Sequence, residues 1–301
     1  MKKNIIQLLI TIGIVCLSSC SDNEDTTPSQ VNDNLFAVTD GANDEESVMR
    51  RSFYESTGVY LLFNDTLRHV LAGKDAFGDD YYDTQTINFN YSLTSTSSTQ
   101  YRCTYYDNIA KKQAALNYLK SDILTHFEGK TLLPYSILLL DKFEIYERNA
   151  ATRITDWWPH ALYNGWRCLA LAFGDIADQS EDAKKTLSNE ILITMINSAL
   201  NNQPAGYLEN FHSYSASTID QRKVNVGLVA GWDLEALYPL GYIVDTWSSF
   251  TPTANEDLSG YVDALVNIPE NEFLSQYAQY PIIIAKYQTL KSLIENLGFK
   301  F

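Results

Sequence analysis

Residues 186–200, with the sequence TLSNEILITMINSAL, carry apolar side chains at the spacing of a helix. Ser180 is a suitable N-cap, and Glu181 and Asp182 suit the positive end of a helix. We therefore predict a helix from Ser180 to about Asn201 that buries one face in the core. The buried positions are expected to be Leu187, Ile191, Leu192, Met195, Ile196, Ala199 and Leu200.

Two apolar runs before this helix predict buried strands. They are Leu132–Leu140, which contains Pro134, and Trp166–Phe173, which ends at Gly174-Asp175. Strands and helices mix without strict alternation, so we predict an α+β fold: a mixed sheet, a central helix and a helical C-terminal part. The remaining expected segments are a strand in Val59–Phe63, loops over Ala76–Asn90, a loop or weak edge strand over Ser92–Gln100, and helices over Ile109–Phe127, Glu256–Val266 and Pro281–Leu297.

The N-terminus has the pattern of a lipoprotein signal peptide over residues 1–19. Lys2 and Lys3 precede an apolar stretch that is too short to span a bilayer, and Leu17-Ser18-Ser19-Cys20 matches a lipobox. We therefore predict lipidation at Cys20 and stable anchoring by several acyl chains. A flexible acidic tether over residues 20–44 and a single domain over 45–301 are expected to follow.

The acidic cluster Ser21–Asp25 resembles the surface-export tag of lipoproteins in gut-dwelling Gram-negative bacteria. This resemblance implies an outer-membrane lipoprotein that faces the cell exterior. The net charge of −15 argues against a nucleic-acid partner, which would need basic stripes. Cys103 and Cys168 could form a disulfide or remain separate thiols, and the sequence leaves both possibilities open.

Three C-terminal segments share their order with a known family. They are Tyr238–Ile243, Asn255–Val262 and the closing Tyr280–Phe299, which includes Lys286-Tyr287. Together with the two apolar runs upstream, these segments resemble a family of zinc-binding metallopeptidase lipoproteins of gut Gram-negative bacteria. The resemblance extends over about Phe53–Phe301 and implies a zincin-like fold.

The family comparison places a degenerate motif in the predicted central helix. Asn189-Glu190-Ile191-Leu192-Ile193 stands where a zinc peptidase has His-Glu-x-x-His, whose histidines bind zinc while the glutamate activates water. The resemblance implies that Glu190 is a vestigial general base and that Glu256 or Asp257 is a vestigial third ligand. Asn189 and Ile193 occupy the two histidine positions, where an amide is a poor zinc ligand and isoleucine has no donor atom.

We therefore expect a catalytically inactive metallopeptidase-like lipoprotein, a pseudoenzyme, that binds a peptide or protein partner and needs no cofactor. One alternative is an active zinc metallopeptidase with atypical ligands. Another is a glycan-binding module of a polysaccharide-uptake system, since the 20 tyrosines could stack on sugars. His69, His126, His160 and His212 are far apart in sequence and form no zinc-ligand pair.

Overall fold

The computed structural model describes residues 34–39, 41–89, 100–129, 132–165, 167–246 and 249–301. Residues Phe36–Phe301 form one compact unit. The predicted signal peptide, the lipidation site Cys20, the first part of the tether and most of the Ser92–Gln100 segment lie outside the described residues. No helix within the described ranges has both the length and the apolar character needed to cross a bilayer.

Helices make up most of the C-terminal half of the described chain. The α-helices are α1 (Glu45–Thr57), α2 (Ile109–Tyr118), α3 (Glu181–Asn201), α4 (Glu209–Ser213), α5 (Leu234–Leu237), α6 (Ala254–Asn267), α7 (Glu270–Gln276) and α8 (Pro281–Asn296). Helix α2 continues as a π-helical turn over Leu119–Ile123 and a 3₁₀ turn over Leu124–His126. The predicted central helix is confirmed as α3, and the Ser180 side chain caps it by accepting a hydrogen bond from the Ala183 amide.

The strands of the described residues form three sheets. They are β1 (Tyr60–Leu62), β2 (Thr66–Lys74), β3 (Asp80–Thr86), β4 (Gln100–Thr104), β5 (Ser136–Leu140), β6 (Lys142–Arg148), β7 (Thr155–Pro159), β8 (Leu162–Asn164) and β9 (Cys168–Ala172). The central sheet has the order β1-β5-β9-β8, in which β8 is antiparallel to β9 and the other pairs are parallel. Strands β4, β6 and β7 form an antiparallel sheet, and β2 and β3 form a hairpin. The α+β class is therefore as predicted.

The central sheet is buried on both faces. In β5, Ile137 and Leu139 pack into the core shared with α3, α6 and α8, whereas Leu138 and Leu140 pack into a second core shared with β4 and β6. Because successive side chains of a strand point to opposite faces, a strand between two apolar layers must be apolar at every position. This explains why β5 is apolar from Ile137 to Leu140.

The structure corrects several predicted boundaries. The strand in the Leu132–Leu140 run begins only at Ser136, after a turn that contains Pro134. The prediction of loops over Ala76–Asn90 is wrong, because β3 occupies Asp80–Thr86 and pairs with β2. This hairpin is largely exposed on both faces, so its polar and aromatic sequence lacks the alternation that identifies a half-buried strand.

Glu144 connects two strands of the β4-β6-β7 sheet and provides a pH test of the fold. Its carboxylate accepts hydrogen bonds from Arg102 Nε and Nη2 at 2.5 and 2.9 Å, and it lies 2.7 Å from Lys142 Nζ. The hydrogen bonds from Arg102, followed by the one from Lys142, lower the pKa of Glu144 from 4.5 to about 2. A lowered folded-state pKa contributes stability above the unfolded pKa, and this contribution is lost as the pH falls through the folded pKa.

We therefore expect Glu144→Gln to destabilise the protein at pH 7 and to lose this effect as the pH falls from about 4.5 towards 2. Urea unfolding of the wild type and the variant across this range measures the difference in free energy of unfolding. A difference that stays constant with pH would show that the charge of Glu144 does not contribute to stability.

Candidate functional site

Helix α3 places the degenerate motif between the core and the surface. Glu190 is exposed, whereas Ile193 is partly buried and packs against the main core. The Asn189 amide donates a 2.8 Å hydrogen bond to Asn267 Oδ1 at the end of α6. Asn189 and Ile193, which the resemblance aligns with zinc-binding histidines, therefore take part in helix packing.

The two acidic residues of α6 are adjacent in sequence but have different roles. Glu256 and Thr253 form a capping box, in which the Glu256 carboxylate accepts hydrogen bonds from the Thr253 amide and hydroxyl at 2.8 Å. Asp257 is fully buried and accepts hydrogen bonds from Lys286 Nζ at 2.7 and 2.6 Å. The capping box and the ion pair therefore account for both carboxylates.

The Lys286 ammonium is saturated by buried acceptors. Besides Asp257, it donates to the Gly241 carbonyl at 2.9 Å and to Ser215 Oγ at 3.2 Å. An ammonium has three donors, so these partners use its whole capacity. The ammonium also lies 4.9 to 5.0 Å from the ring centroids of three aromatic side chains, which are Phe211, Tyr242 and Tyr261.

Burial opposes both charges of this pair. It raises the pKa of Asp257 from 3.8 to about 6 and lowers the pKa of Lys286, while the attraction between the two groups acts against both shifts. Lys286 Nζ lies 2.7 and 2.6 Å from the two Asp257 oxygens, which are the short distances of charge-assisted hydrogen bonds. The site is therefore a buried ion pair whose members each depend on the other for their charge.

Gly241 allows the backbone to approach this ion pair. Its φ angle is +86°, and a Cβ atom there would lie 2.5 Å from Ile282 Cγ2 and 3.3 Å from Lys286 Cδ. The carbonyl of Gly241 also accepts a 3.0 Å hydrogen bond from the Tyr261 hydroxyl. The three segments that resemble the peptidase family thus meet here, with Gly241 from the first, Asp257 and Tyr261 from the second and Lys286 from the third.

A second buried ion pair fixes the loops before α6. Lys223 Nζ lies 2.8 and 3.0 Å from the carboxylate oxygens of Asp245 and donates to the Gly231 carbonyl at 2.6 Å. The Asp233 amide donates to the same carboxylate at 3.0 Å. Charge-assisted hydrogen bonds to Lys223 and Asp245 therefore stabilise this segment, most of which is irregular.

A cleft of about 420 Å³ lies between α3 and the start of β9. Thr194 and Ser198 of α3 and the C-cap residue Asn202 form one wall, since residues four apart lie on the same side of a helix. Glu190 precedes Thr194 by one turn in the same row. The opposite side is lined by Leu132–Tyr135, Asn164, Gly165 and Arg167.

Strand β8 borders this cleft with an edge that no described strand pairs with. The Ala161 carbonyl accepts a 2.8 Å hydrogen bond from Ala172, and the Gly165 amide donates a 3.0 Å bond to Cys168. Hydrogen-bonded positions alternate along an antiparallel pair, so the backbone groups of Leu162 and Asn164 point away from β9. The Asn164 side chain donates a 3.0 Å hydrogen bond to Ser198 Oγ, which joins the edge strand to α3.

The structure does not bring the predicted ligand positions together as a metal site. Within the ranges that the structure describes, no group of three or more His, Cys, Asp or Glu side chains could hold a metal ion. Cys103 and Cys168 are free thiols, which answers the open question of their pairing. His160 Nε2 lies 3.0 Å from the Glu147 carboxylate, and this pair is on the β4-β6-β7 sheet.

Comparisons with protein-family models, with curated proteins and with solved structures gave no match to this chain.

Lys286 was not predicted to have a role, although the sequence contains a signal for one. In α8, Ile283, Lys286, Tyr287 and Leu290 are all buried and follow the spacing of one helix face. A lysine within such an apolar row indicates a buried cation, which requires an acidic partner. Asp257 has the corresponding position in α6, next to the buried Leu258 and on the same face as Tyr261.

We expect Lys286→Met to destabilise the protein by about 3–5 kcal/mol, because it leaves the Asp257 carboxylate buried without its cation. Lys291→Met is the matched control on the same helix, where the lysine forms a partly exposed pair with Glu270 and the expected change is below about 1 kcal/mol. Urea unfolding at pH 7 measures both changes. Equal effects of the two substitutions would contradict the structural role of the buried pair.

Proposed function

We propose that this chain is a surface lipoprotein with a zincin-like fold that has lost peptidase activity and binds an extended peptide segment of a partner. The observation that supports this function best is the cleft between α3 and the outward edge of β8. The zincin-like ancestry rests on the family resemblance and on the position of α3, which follows the sheet strand β9 and packs against α6.

The chemistry at the motif positions supports the loss of catalysis. Ile193 has no atom that could bind zinc, and the Asn189 amide is hydrogen-bonded to α6. The resemblance implies Asp257 as a possible third ligand, but both of its carboxylate oxygens accept hydrogen bonds from Lys286 Nζ. A metal ion could reach this carboxylate only by displacing a buried ammonium.

Peptide binding follows from the backbone groups at the edge of β8. An extended peptide could pair with the outward amides and carbonyls of Leu162 and Asn164, and each new hydrogen bond contributes about 0.5–1.5 kcal/mol. Arg167 also lines the cleft, and its guanidinium lies 4.4 Å from the ring centroid of Tyr135. An acidic side chain or a C-terminal carboxylate of the peptide would complement Arg167.

The outward amide of Asn164 gives a direct test. We expect Asn164→Pro to weaken peptide binding by about tenfold relative to Asn164→Ala, because only the proline variant lacks the backbone donor. An edge strand tolerates proline at an outward position, so the pairing of β8 with β9 should remain. The probe is a peptide selected from a random dodecapeptide library on the full chain, with affinities measured by fluorescence polarisation.

Asn164→Ala is the matched control, because both variants lose the side-chain hydrogen bond to Ser198. Equal affinities of the two variants for the selected peptide would exclude strand addition at β8. If selection enriches no peptide, the proposal of peptide binding fails as a whole.

Zinc content tests the loss of the metal site. We expect protein purified from zinc-supplemented culture and dialysed to contain zinc well below one equivalent by elemental analysis, and to have no peptidase activity that Glu190→Gln removes. Stoichiometric zinc after dialysis, with activity that depends on Glu190, would support the active metallopeptidase with atypical ligands and overturn the proposal.

A further inference from the structure

The outer face of the β4-β6-β7 sheet combines aromatic and basic side chains. Tyr101, Cys103, Phe143 and Ile145 point to the second core, so the alternate residues of these strands point to the opposite face. This face is away from the core and from the cleft beside α3. Its members, aligned by the strand register, are Gln100, Arg102, Thr104, Lys142, Glu144, Tyr146, Arg148, Thr155, Trp157 and Pro159.

The aromatic centre of this face is ordered by its neighbours. Tyr146 and Trp157 are cross-strand partners with ring centroids 5.5 Å apart. The Arg102 guanidinium lies over the Trp157 ring at 4.7 Å and is held in place by its two hydrogen bonds to Glu144. Tyr146 nevertheless remains 43% exposed as a residue, so a ring surface is available to a ligand.

The charge of this face is opposite to that of the whole chain. It has three basic side chains, Arg102, Lys142 and Arg148, and one acidic side chain, Glu144, whereas the chain has a net charge of −15. The side chains of Arg102 and Lys142 are about half exposed although both are paired with Glu144. Arg148 flanks Tyr146 two residues along β6, and its Nε atom donates to the Arg153 carbonyl at 3.2 Å.

We propose that this face binds an acidic oligosaccharide, of the uronic-acid class. The C–H face of a sugar ring packs on flat apolar surfaces, and Tyr146 with the edge of Trp157 would provide such a surface. The sugar carboxylates would pair with Arg148 and Lys142, since guanidinium and ammonium groups recognise carboxylates by charge-assisted hydrogen bonds. The site is separate from the peptide cleft, and neither proposal depends on the other.

A single-stranded nucleic acid would also use aromatic and basic side chains. Both ligands carry one negative charge per residue, so the net charge of −15 repels both and does not separate them. A single-stranded nucleic acid stacks successive bases on several aromatic rings. On this face the Arg102 guanidinium lies over the Trp157 ring and leaves Tyr146 as the more exposed ring, which suits a single sugar. Comparing the binding of an acidic oligosaccharide with that of an oligonucleotide therefore distinguishes the two ligand classes.

Calorimetric titration of the full chain with pentagalacturonate tests the proposal, with maltopentaose as the neutral glycan and pentathymidylate as the nucleic acid. We expect binding of pentagalacturonate that weakens with added salt, and we expect Tyr146→Ala to reduce the affinity by about tenfold. Tyr81→Ala is the matched control, because this tyrosine of the hairpin is 57% exposed and lies on another sheet. The affinity of Tyr81→Ala for pentagalacturonate should stay within about twofold of the wild-type value.

Arg148→Gln provides a second variant if Tyr146→Ala disturbs the sheet, which circular dichroism would reveal. This exposed position should keep the fold while the affinity and its salt dependence both decrease. Four results would each overturn the proposal: no binding of pentagalacturonate at millimolar concentration, equal binding of maltopentaose, equal binding of pentathymidylate that the same variants abolish, or unchanged affinity in both Tyr146→Ala and Arg148→Gln.

Discussion

The buried ion pair between Lys286 and Asp257 is the constraint on which the C-terminal third depends. A charge removed from water is tolerated only when its partner and all its hydrogen bonds are supplied, so α6, α8 and the Gly241 turn must meet in one arrangement. Replacement by apolar residues of similar size can leave stability unchanged in other proteins, but here Lys286 Nζ also donates to Ser215 and to the Gly241 carbonyl. The ion pair therefore joins the three segments at one point in the core.

A second constraint comes from the central sheet. Because β5 and β9 are covered on both faces, the sheet can meet a ligand only at its edges, and β8 supplies an edge beside α3. Strand β8 is three residues long, which limits uncontrolled pairing with other chains. The contact between Asn164 and Ser198 fixes this short edge against the helix, so edge and helix wall are positioned together. Rigid elements on both sides favour a preformed groove.

The parts of the fold that were predictable are those in which one pattern controls the local structure. Helix α3 has a cap and an apolar face, and β5 is apolar from Ile137 to Leu140, so both were found from sequence alone. Strands β6 and β8 were not predicted, because burial changes along each strand without strict alternation. Their sequences therefore show no period of two in hydrophobicity. For the candidate site, the sequence identified Asp257 but not its partner, since 29 residues separate it from Lys286 and only tertiary packing joins them.

The same ion pair bears on the proposed loss of peptidase chemistry. If histidines replaced Asn189 and Ile193, the helix would regain two donors, but Asp257 would still be held by Lys286 and Glu256 would still serve the cap of α6. A third ligand would become free only if a buried ammonium lost its counterion or a helix lost its N-terminal cap, and both changes are destabilising. Under the proposed metallopeptidase ancestry, the loss would therefore extend beyond the two histidine positions. The packing of α6 and α8 uses both carboxylates, and this is consistent with the proposed binding role and not with a dormant catalytic one.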